Sequence, residues 1–184
     1  MILMYSKINR RRASALTNYD KRLALLKSGL TRLVVRKTNR SIIAQLVGYK
    51  KDGDYIIASA NSSELKKFEW MPHSNIPTAY LTGALLAKKA KDKNVGEAVL
   101  DIWVYKPVKY NVIFAAAKGC KDNGLKLKEN IEFDEDRLNG KHISEYAKKD
   151  KENKVQFSGY AKAKFDVSKL DEIFDSVKKK IINE

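Results

Sequence analysis

The residues that could do chemistry in this sequence are concentrated in a basic stretch between positions 31 and 47. Its cationic side chains are Arg32, Arg36, Lys37 and Arg40. Uncharged hydrogen-bonding side chains lie among and after them, namely Thr38, Asn39 and Gln45. Lysine and arginine neutralise anions, and arginine binds phosphate through paired hydrogen bonds. This combination predicts a surface that binds an anionic partner, with a merely solvated basic face as the alternative.

Two strands joined by a short turn should hold these side chains. Since side chains alternate along an extended chain, the apolar positions of the first strand fall on one face, and Arg32 and Arg36 fall on the other. Residues 38–41 are polar and suit a tight turn, and residues 42–47 return as an apolar, β-branched run. The pattern predicts a hairpin with an apolar inner face and a basic, exposed outer face.

The formal net charge of +15 is concentrated near that hairpin. Residues 1–50 contain 12 Lys or Arg against one acid, residues 51–127 contain 12 against 8, and residues 128–184 contain 13 against 13. A uniform basic excess would indicate little beyond solubility. A local excess of this kind is typical of proteins that bind nucleic acid.

A basic arm precedes the hairpin. Residues 1–16 show no sustained apolar period, and they contain three consecutive arginines, Arg10, Arg11 and Arg12. Such an arm is usually disordered when free and becomes ordered when it neutralises phosphates. We expect a tail of this kind, with a nuclear-import signal or a solubilising tail as the alternative.

A basic helix should connect the arm to the hairpin. Thr17 or Asn18 can cap its N-terminus, and Gly29 is placed to end it. Arg22 keeps the surface of this helix basic. Tyr19 either stacks on a nucleotide base or packs against the helix itself.

The chain beyond the hairpin predicts a mixed sheet. We expect a third strand over residues 55–60, a helix over 78–87 that Pro77 starts, a strand buried on both faces over 98–104, and a helix over 113–124. This order predicts the α/β (α+β) class, with a three-stranded antiparallel meander, one crossover strand, and helices packed on the sheet. The strand order resembles that of the ribonuclease H-like fold.

Three regions follow from composition and periodicity. Residues 1–28 are the basic N-terminal arm and first helix, residues 29–127 the α/β core, and residues 128–184 a C-terminal helical extension. Within the core, small residues around Gly83 predict a close contact between a helix and the sheet. Within the extension, residues 166–182 have apolar side chains at helical spacing. We expect this neutral region to dock on a protein or to fold back on the core.

Composition also excludes several classes of protein. No stretch approaches the roughly 18 to 20 apolar residues of a membrane span. The N-terminus has its apolar residues before its basic ones, the reverse of a secretory signal. With 184 residues and a single cysteine, Cys120, the chain can bury one substantial core and forms no internal disulfide. We expect a cytoplasmic protein without a membrane partner.

The residue pattern argues against catalysis. Nucleases of the ribonuclease H-like fold place three or four carboxylates around paired metal ions, one of them in the first strand. Here that strand carries Arg32 and Arg36, and Asp101 on the fourth strand has no evident partner from it. A lone His73 and the core residue Cys120 offer neither metal-ligand spacing nor a nucleophile–base pair. We expect no enzyme activity, metal, cofactor or small-molecule substrate.

Motifs along the whole chain resemble those of one protein family. They are the segments 10–12, 17–19, 32–36, 38–40, 44–47, 77–83, 98–102, 114–116, 118–119, 140–143, 145–147 and 157–160. The family is that of the archaeal and eukaryotic large-subunit ribosomal proteins of the L-eighteen type, and the archaeal form is the more similar. The resemblance implies a ribonuclease H-like core without catalytic residues. It also implies a protein of the central protuberance that binds 5S ribosomal RNA and anchors it to the large subunit.

The basic pattern and this resemblance together predict fourteen RNA-binding residues. They are Arg10, Arg11, Arg12, Thr17, Asn18, Tyr19, Arg22, Arg32, Arg36, Lys37, Thr38, Asn39, Arg40 and Gln45. The implied partners are 5S ribosomal RNA, large-subunit ribosomal RNA and neighbouring ribosomal proteins, in the cytoplasmic ribosome. A general RNA-binding or ribosome-assembly factor is the alternative function, and a degenerate nuclease-fold enzyme is a rival of another class.

Overall fold

The computed structural model describes residues 10–102, 105–149, 156–163 and 165–183. The strands are β1 (Thr31–Lys37), β2 (Ile42–Lys50), β3 (Gly53–Asn61), β4 (Glu97–Asp101) and β5 (Lys126–Leu127). The helices are α1 (Arg10–Ala13), α2 (Tyr19–Lys27), α3 (Ile76–Asp92), α4 (Val112–Asp122), α5 (Glu135–Asn139), α6 (Lys141–Lys149), α7 (Ser158–Lys162) and α8 (Leu170–Asn183). Two short 3₁₀ helices are also present, at Ser62–Phe68 and Val167–Lys169.

The strands form one mixed sheet in the order β3-β2-β1-β4-β5. β1 and β3 each pair antiparallel with β2, while β4 pairs parallel with both β1 and β5. The predicted meander with a crossover strand, and the α/β class with it, are confirmed. Sequence periodicity does not reveal β5, because two residues are too few to show a period. Residues 103–104 of the predicted fourth strand lie outside the described residues, and the likeness to the ribonuclease H-like fold stays a prediction.

The predicted hairpin is formed by β1 and β2. Lys37 pairs with Ile42 across the turn. Within the turn the Thr38 amide donates to the Ser41 carbonyl at 2.8 Å, and the Ser41 amide donates to Thr38 Oγ1 at 2.9 Å. These local bonds fix the number of residues in the turn. They therefore set the register between β1 and β2, which decides which side chains share a face.

Asparagine caps start three of the helices, with Asn18 before α2, Asn75 before α3 and Asn111 before α4. Each side-chain oxygen accepts the backbone amide three residues further on, at 3.0–3.1 Å. The predicted start of the basic helix is therefore confirmed. Its predicted end is confirmed as well, because Gly29 follows α2 with a φ of +68°.

The main core lies between the inner face of the sheet and the helices α3 and α4. Leu33 on β1 is fully buried in it. The two helices touch at two glycines, since a Cβ at Gly83 would overlap the carbonyl oxygen of Ala116, and a Cβ at Gly119 would overlap that of Tyr80. The prediction for Gly83 is wrong about the partner, because this glycine allows close approach to another helix rather than to the sheet.

The C-terminal helices fold back on this core. α8 buries Leu170, Phe174, Val177 and Ile181, as its helical spacing predicts. The Phe174 ring lies 5.5 Å from that of Tyr80 on α3 and 6.1 Å from that of Trp70. Such aromatic contacts bury large apolar areas, so α8 closes the side of α3 that the sheet leaves open.

Residues 10–13 form the short helix α1, so the expected unstructured tail is wrong for the described part of the arm. The Leu16 amide donates to the Arg11 carbonyl at 2.9 Å, and Arg11 Nε donates to Thr17 Oγ1 at 3.1 Å. These bonds join the arm to the start of α2. Residues 1–9 lie outside the described residues. Among the helices that are described, none has the length and apolar character that a membrane crossing needs.

Candidate RNA interface

A groove of about 340 Å³ runs along the outer face of the sheet, opposite α3 and α4. Seven of the fourteen predicted residues line it, namely Arg11, Thr17, Asn18, Arg22, Arg32, Arg36 and Gln45. They come from α1, the start of α2, β1 and β2. The crossover helices α3 and α4 both cover the inner face, which leaves the outer face for the N-terminal helices and a partner. Folding thus joins residues that lie up to 34 positions apart in the chain.

Arg32 is the predicted residue whose environment differs most from expectation. It is only 3% exposed, so the prediction of an exposed side chain is wrong. Its Nη1 donates to Asp101 Oδ2 at 3.0 Å, and its Nη2 lies 2.8 Å from Asp54 Oδ1. A buried charge needs such partners because the interior does not solvate it. Arg32 therefore forms part of the floor of the groove.

Asp101 consequently has a partner on the first strand, contrary to the sequence-based expectation. The parallel register sets Val34 of β1 beside Asp101 of β4, and Arg32 lies two residues from Val34 on the same face. The long arginine side chain spans this step. The Arg32–Asp101 pair cannot be predicted from sequence alone, because these two residues lie 69 positions apart and their contact depends on the register between β1 and β4.

Asp54 extends the ion pairs from the sheet to α2. Arg22 Nη2 donates to Asp54 Oδ1 at 2.9 Å, while Arg32 approaches the same carboxylate from β1. Partial burial by itself would raise the pKa of Asp54, but the contacts with Arg32 and Arg22 outweigh burial and lower that pKa. α2 buries none of its own side chains, so the Arg22–Asp54 pair is a main described tie between this helix and the sheet.

A β-bulge puts Asp54 on the outer face. The register between β2 and β3 shifts between Leu46 and Val47, so that Leu46 pairs with Ala58 but Val47 pairs with Ile56. An extra residue reverses the alternation of side chains beyond it. Along β3, the even-numbered residues before the bulge therefore point outward, as Asp54 does. Those after the bulge point inward, as the buried Ala58 does.

The solvent-facing cations of the groove are Arg11, Lys21 and Arg36, all of them exposed. Lys21 is absent from the predicted set, although its position three residues after the cap Asn18 places it on the same helical face. In total five cationic side chains meet two carboxylates in the groove. The remaining positive charge attracts a polyanion.

The wall of the groove is apolar where β1, β2 and β3 lie side by side. Val34, Val47 and Ile56 line it, and Ile56 keeps 57% of its surface exposed. Gln45 lies between them, with Nε2 at 3.5 Å from Ser59 Oγ, which is the long limit of a hydrogen bond. An apolar wall with a loosely bonded amide suits the face and edge of an unpaired nucleotide better than a phosphate.

The other predicted residues fall into three places around the groove. Arg12 and Tyr19 line a hollow that shares Thr17, Asn18 and Lys21 with it. Arg10 is exposed on α1 and lines neither cavity. The exposed residues at the turn lie at the end of β1 that is far from α2; they are Lys37, Thr38, Asn39 and Arg40. A strand rises about 3.3 Å per residue, so the length of β1 separates them from α2 by about 20 Å.

The turn is held rigidly against the core. Ser74 Oγ donates to the Thr38 carbonyl at 2.8 Å, and the Tyr105 hydroxyl donates to the Lys37 carbonyl at 3.3 Å. The Thr38 hydroxyl is itself bonded within the turn, at 2.9–3.0 Å from Ser41 atoms. Asn39 and Arg40 are thus the turn side chains that project from a fixed backbone.

The described part of the chain contains no group of three or more His, Cys, Asp and Glu side chains that could hold a metal ion. The two carboxylates of the groove, Asp54 and Asp101, both pair with Arg32. An arginine between two carboxylates occupies the place where a cation would otherwise be held. The arrangement suits anion binding at a neutralised floor.

Comparison with known proteins places this geometry in context. The family of "Ribosomal large subunit proteins 60S L5, and 50S L18" matches residues 4–97. The large ribosomal subunit protein uL18 of Thermofilum pendens is 46% identical over 180 residues, covering 94% of this chain and 92% of that protein. The uL18 protein of Korarchaeum cryptofilum is 45% identical over 179 residues, covering 94% and 91% respectively. The matched family segment includes α1, α2 and the hairpin.

Proposed function

This chain belongs to the L5e/L18 family of large-subunit ribosomal proteins, and from that premise we propose that it binds 5S ribosomal RNA and anchors it in the central protuberance. Its relatives are structural proteins of the large ribosomal subunit, so it is a structural protein of the cytoplasmic ribosome and not an enzyme. The observation that carries the finer proposal is the basic groove on the outer face of the sheet.

Phosphate neutralisation supplies the part of the affinity that does not depend on sequence. Arg11 and Lys21 reach the groove from the N-terminal helices, and Arg36 reaches it from β1. These three face solvent, whereas Arg32 does not. A backbone that follows the groove therefore meets cations from both sides of it.

The turn and the apolar wall supply recognition of irregular RNA. A-form helices hide their base edges in a narrow major groove, so proteins read loops and bulges whose bases are unpaired. Asn39 and Gln45 can donate to or accept from such a base or a 2′-hydroxyl group. Ile56 and Val47 offer the apolar surface against which the base would lie.

The experiment is a direct binding comparison between 5S ribosomal RNA and an unrelated structured RNA of equal length. We expect a preference of about tenfold or more for 5S RNA, equivalent to roughly 1.4 kcal/mol. Replacing Arg11 or Arg36 by Gln should weaken binding to both RNAs. Lys179→Gln is the matched control, because that lysine is exposed on α8, away from the outer face of the sheet.

Equal affinity for the two RNAs would refute 5S recognition and leave a general RNA-binding ribosomal protein. Equal loss from Lys179→Gln and Arg36→Gln would show that net charge, not the groove, accounts for binding.

A further inference from the structure

A second cavity lies away from the RNA groove and is bordered by an acidic segment, residues 129–136. It has a volume of about 270 Å³ and is formed by the connection between β4 and α4 and by the segment that follows β5. Its lining residues are Lys109, Tyr110, Phe114, Asn130, Ile131 and Glu132. None of them belongs to the fourteen predicted RNA-binding residues, and none lines the groove.

The cavity is open to solvent, and three of its lining residues, Tyr110, Phe114 and Ile131, are apolar or aromatic. Ile131 is 5% exposed and forms its base, with Phe114 half-buried beside it. Tyr110 keeps 48% of its surface exposed, and Val108 in the same connection keeps 58%. Exposed apolar side chains around a cavity are typical of surfaces that a partner covers.

Tyr110 is held in place at this site. Its ring meets that of Phe133 edge-on, with centroids 5.3 Å apart. Its φ is +59°, a left-handed conformation that bulky residues rarely adopt. The surrounding chain thus fixes the backbone of Tyr110 while half of the ring still faces solvent, as in a preformed contact surface.

Glu132 lines the cavity, and further carboxylates follow it along the chain. Residues 129–136 contain five acids and no base, in a protein whose net charge is +15. Glu132, Asp134, Glu135 and Asp136 are exposed. Among the described residues Asp136 is the one of these four with a basic partner, Lys141, at 3.3 Å. Within the described part of the chain, Lys109 is the one cation that lines the cavity.

We propose that this acidic apolar cavity, centred on Tyr110, docks a basic segment of a neighbouring ribosomal protein, with one apolar side chain inserted beside Ile131. Charge complementarity selects this occupant, because an RNA phosphate at the rim would meet Glu132 and the acids that follow it. The proposal rests on the place of the family in the large subunit and not on 5S recognition.

Site-specific photo-crosslinking in assembled large subunits tests the proposal. The photoreactive residue p-benzoylphenylalanine replaces Tyr110 in the full chain, and cross-linked products are identified by mass spectrometry. Tyr146 is the matched control position, because it is 44% exposed on α6 and lines no part of the cavity. We expect position 110 to cross-link to a protein through a peptide in which Lys or Arg flanks an apolar residue.

A charge variant tests the electrostatic part. Glu132→Gln combined with Glu135→Gln should lower the cross-link yield at position 110 about fivefold, the effect of losing a rim contact worth roughly 1 kcal/mol. The control removes two exposed acids from α8 instead, Glu172→Gln with Asp175→Asn, and should leave the yield unchanged. The melting temperature of each variant verifies that it folds.

Cross-linking of position 110 to RNA would overturn the proposal, and so would a yield no higher than that at position 146. Equal loss of yield in both charge variants would overturn the role assigned to Glu132. The same photoreactive residue at Arg36 reports on the groove, so a failure to reach RNA there would count against the proposed function and not against the cavity.

Discussion

At the scale of single residues, Arg32 and Arg36 show how two arginines on one strand face can differ in role. Arg32 is 3% exposed and holds Asp54 and Asp101. Arg36 is exposed at the groove surface. Arg32 thus stabilises the fold, whereas Arg36, four residues further along the strand, is exposed where we propose that the polyanion binds.

Replacing these arginines by Met should therefore give opposite results. Arg32→Met leaves two partly buried carboxylates without their shared cation and should lower the free energy of unfolding by about 3 kcal/mol. This value is near the lower end of the range for broken buried ion pairs, because Asp54 keeps some solvent contact. Arg36→Met should cost less stability than Arg32→Met, because Arg36 is exposed. Urea denaturation measures both, and RNA titration should show the larger loss of affinity for Arg36→Met. Similar stability losses in the two variants would mean that Arg32 is not a structural residue.

Asn39 and Gln45 should contribute to selectivity and not to charge neutralisation. Replacing either by Ala is expected to reduce the ratio of affinities for 5S and unrelated hairpin RNA, because uncharged donors read bases that phosphate contacts do not distinguish. The slope of affinity against salt concentration should stay unchanged, since no cation is lost. If both variants keep the parent's ratio, these residues only form the hairpin.

At the scale of elements, α3 and α4 approach each other closely at two glycines. Gly83 and Gly119 face backbone carbonyls of the opposite helix, so neither position has room for a methyl group. This contact brings the two crossover helices together on one face of the sheet. It thereby leaves the other face open for the groove.

Gly83→Ala should destabilise the protein although alanine favours helix. The new Cβ overlaps the Ala116 carbonyl, and forcing the helices apart should cost about 3 kcal/mol or more. Thermal unfolding measures the change. Gly96→Ala is the control, because a Cβ there has nothing within 4 Å and Gly96 has no positive φ. A melting temperature for Gly83→Ala equal to that of the control would contradict the close contact.

The packing of α7 should make stability depend on pH. His73 lies 4.2 Å from the Tyr160 ring, its Nε2 is buried without a hydrogen-bond partner, and burial lowers its pKa below 6.5. The unfolded chain therefore binds a proton more readily than the folded chain. The stability that neutral His73 contributes is complete at pH values above the pKa of this histidine in the unfolded chain, about 6.5. It is lost as the pH falls from there toward the lower pKa of the folded chain.

Melting temperatures compared at about pH 7.5 and pH 5.5 test this, since carboxylates with lowered pKa values stay ionised in that window. The parent should melt at a lower temperature at the acidic pH. His73→Phe should lose most of that difference, whereas His142→Phe, at an exposed position on α6, should keep it. If the difference in melting temperature persists in His73→Phe, groups other than His73 cause it.

At the scale of the whole molecule, charge is separated along the chain and folding preserves the separation. The most basic part, residues 1–50, supplies α1, α2 and the hairpin, and these surround the groove. The neutral C-terminal region supplies α8, which packs on α3 behind the sheet. The molecule therefore has one strongly basic face.

The salt dependence of RNA binding should reflect this basic face. If about six to eight phosphates are neutralised, the logarithm of the affinity should fall against the logarithm of salt concentration with a slope of roughly −4 to −7. Deleting residues 1–12 removes Arg11 from the groove along with the neighbouring arginines, so the slope should become shallower. A slope that does not change would show that the arm makes no phosphate contacts.

Local sequence determined most of the elements and several of their ends. The hairpin turn, the caps at Asn18 and Asn111 and the stop at Gly29 depend on side chains within a few positions of the backbone they bond. The concentration of basic residues likewise predicted which part of the chain supplies most of the basic groove. Seven of the fourteen predicted residues line the groove, because neighbours on a strand or helix share a face.

Only the tertiary structure decided which of those residues face solvent and which form the floor. The burial of Arg32 depends on Asp54 and Asp101, which reach it through a bulge in β3 and a parallel register with β4. One extra residue reverses the face of every side chain beyond it, and alternation in the sequence does not show where that residue is inserted. The register between distant strands is set by the packing of the whole core, and so are the roles of Arg32, Asp54 and Asp101.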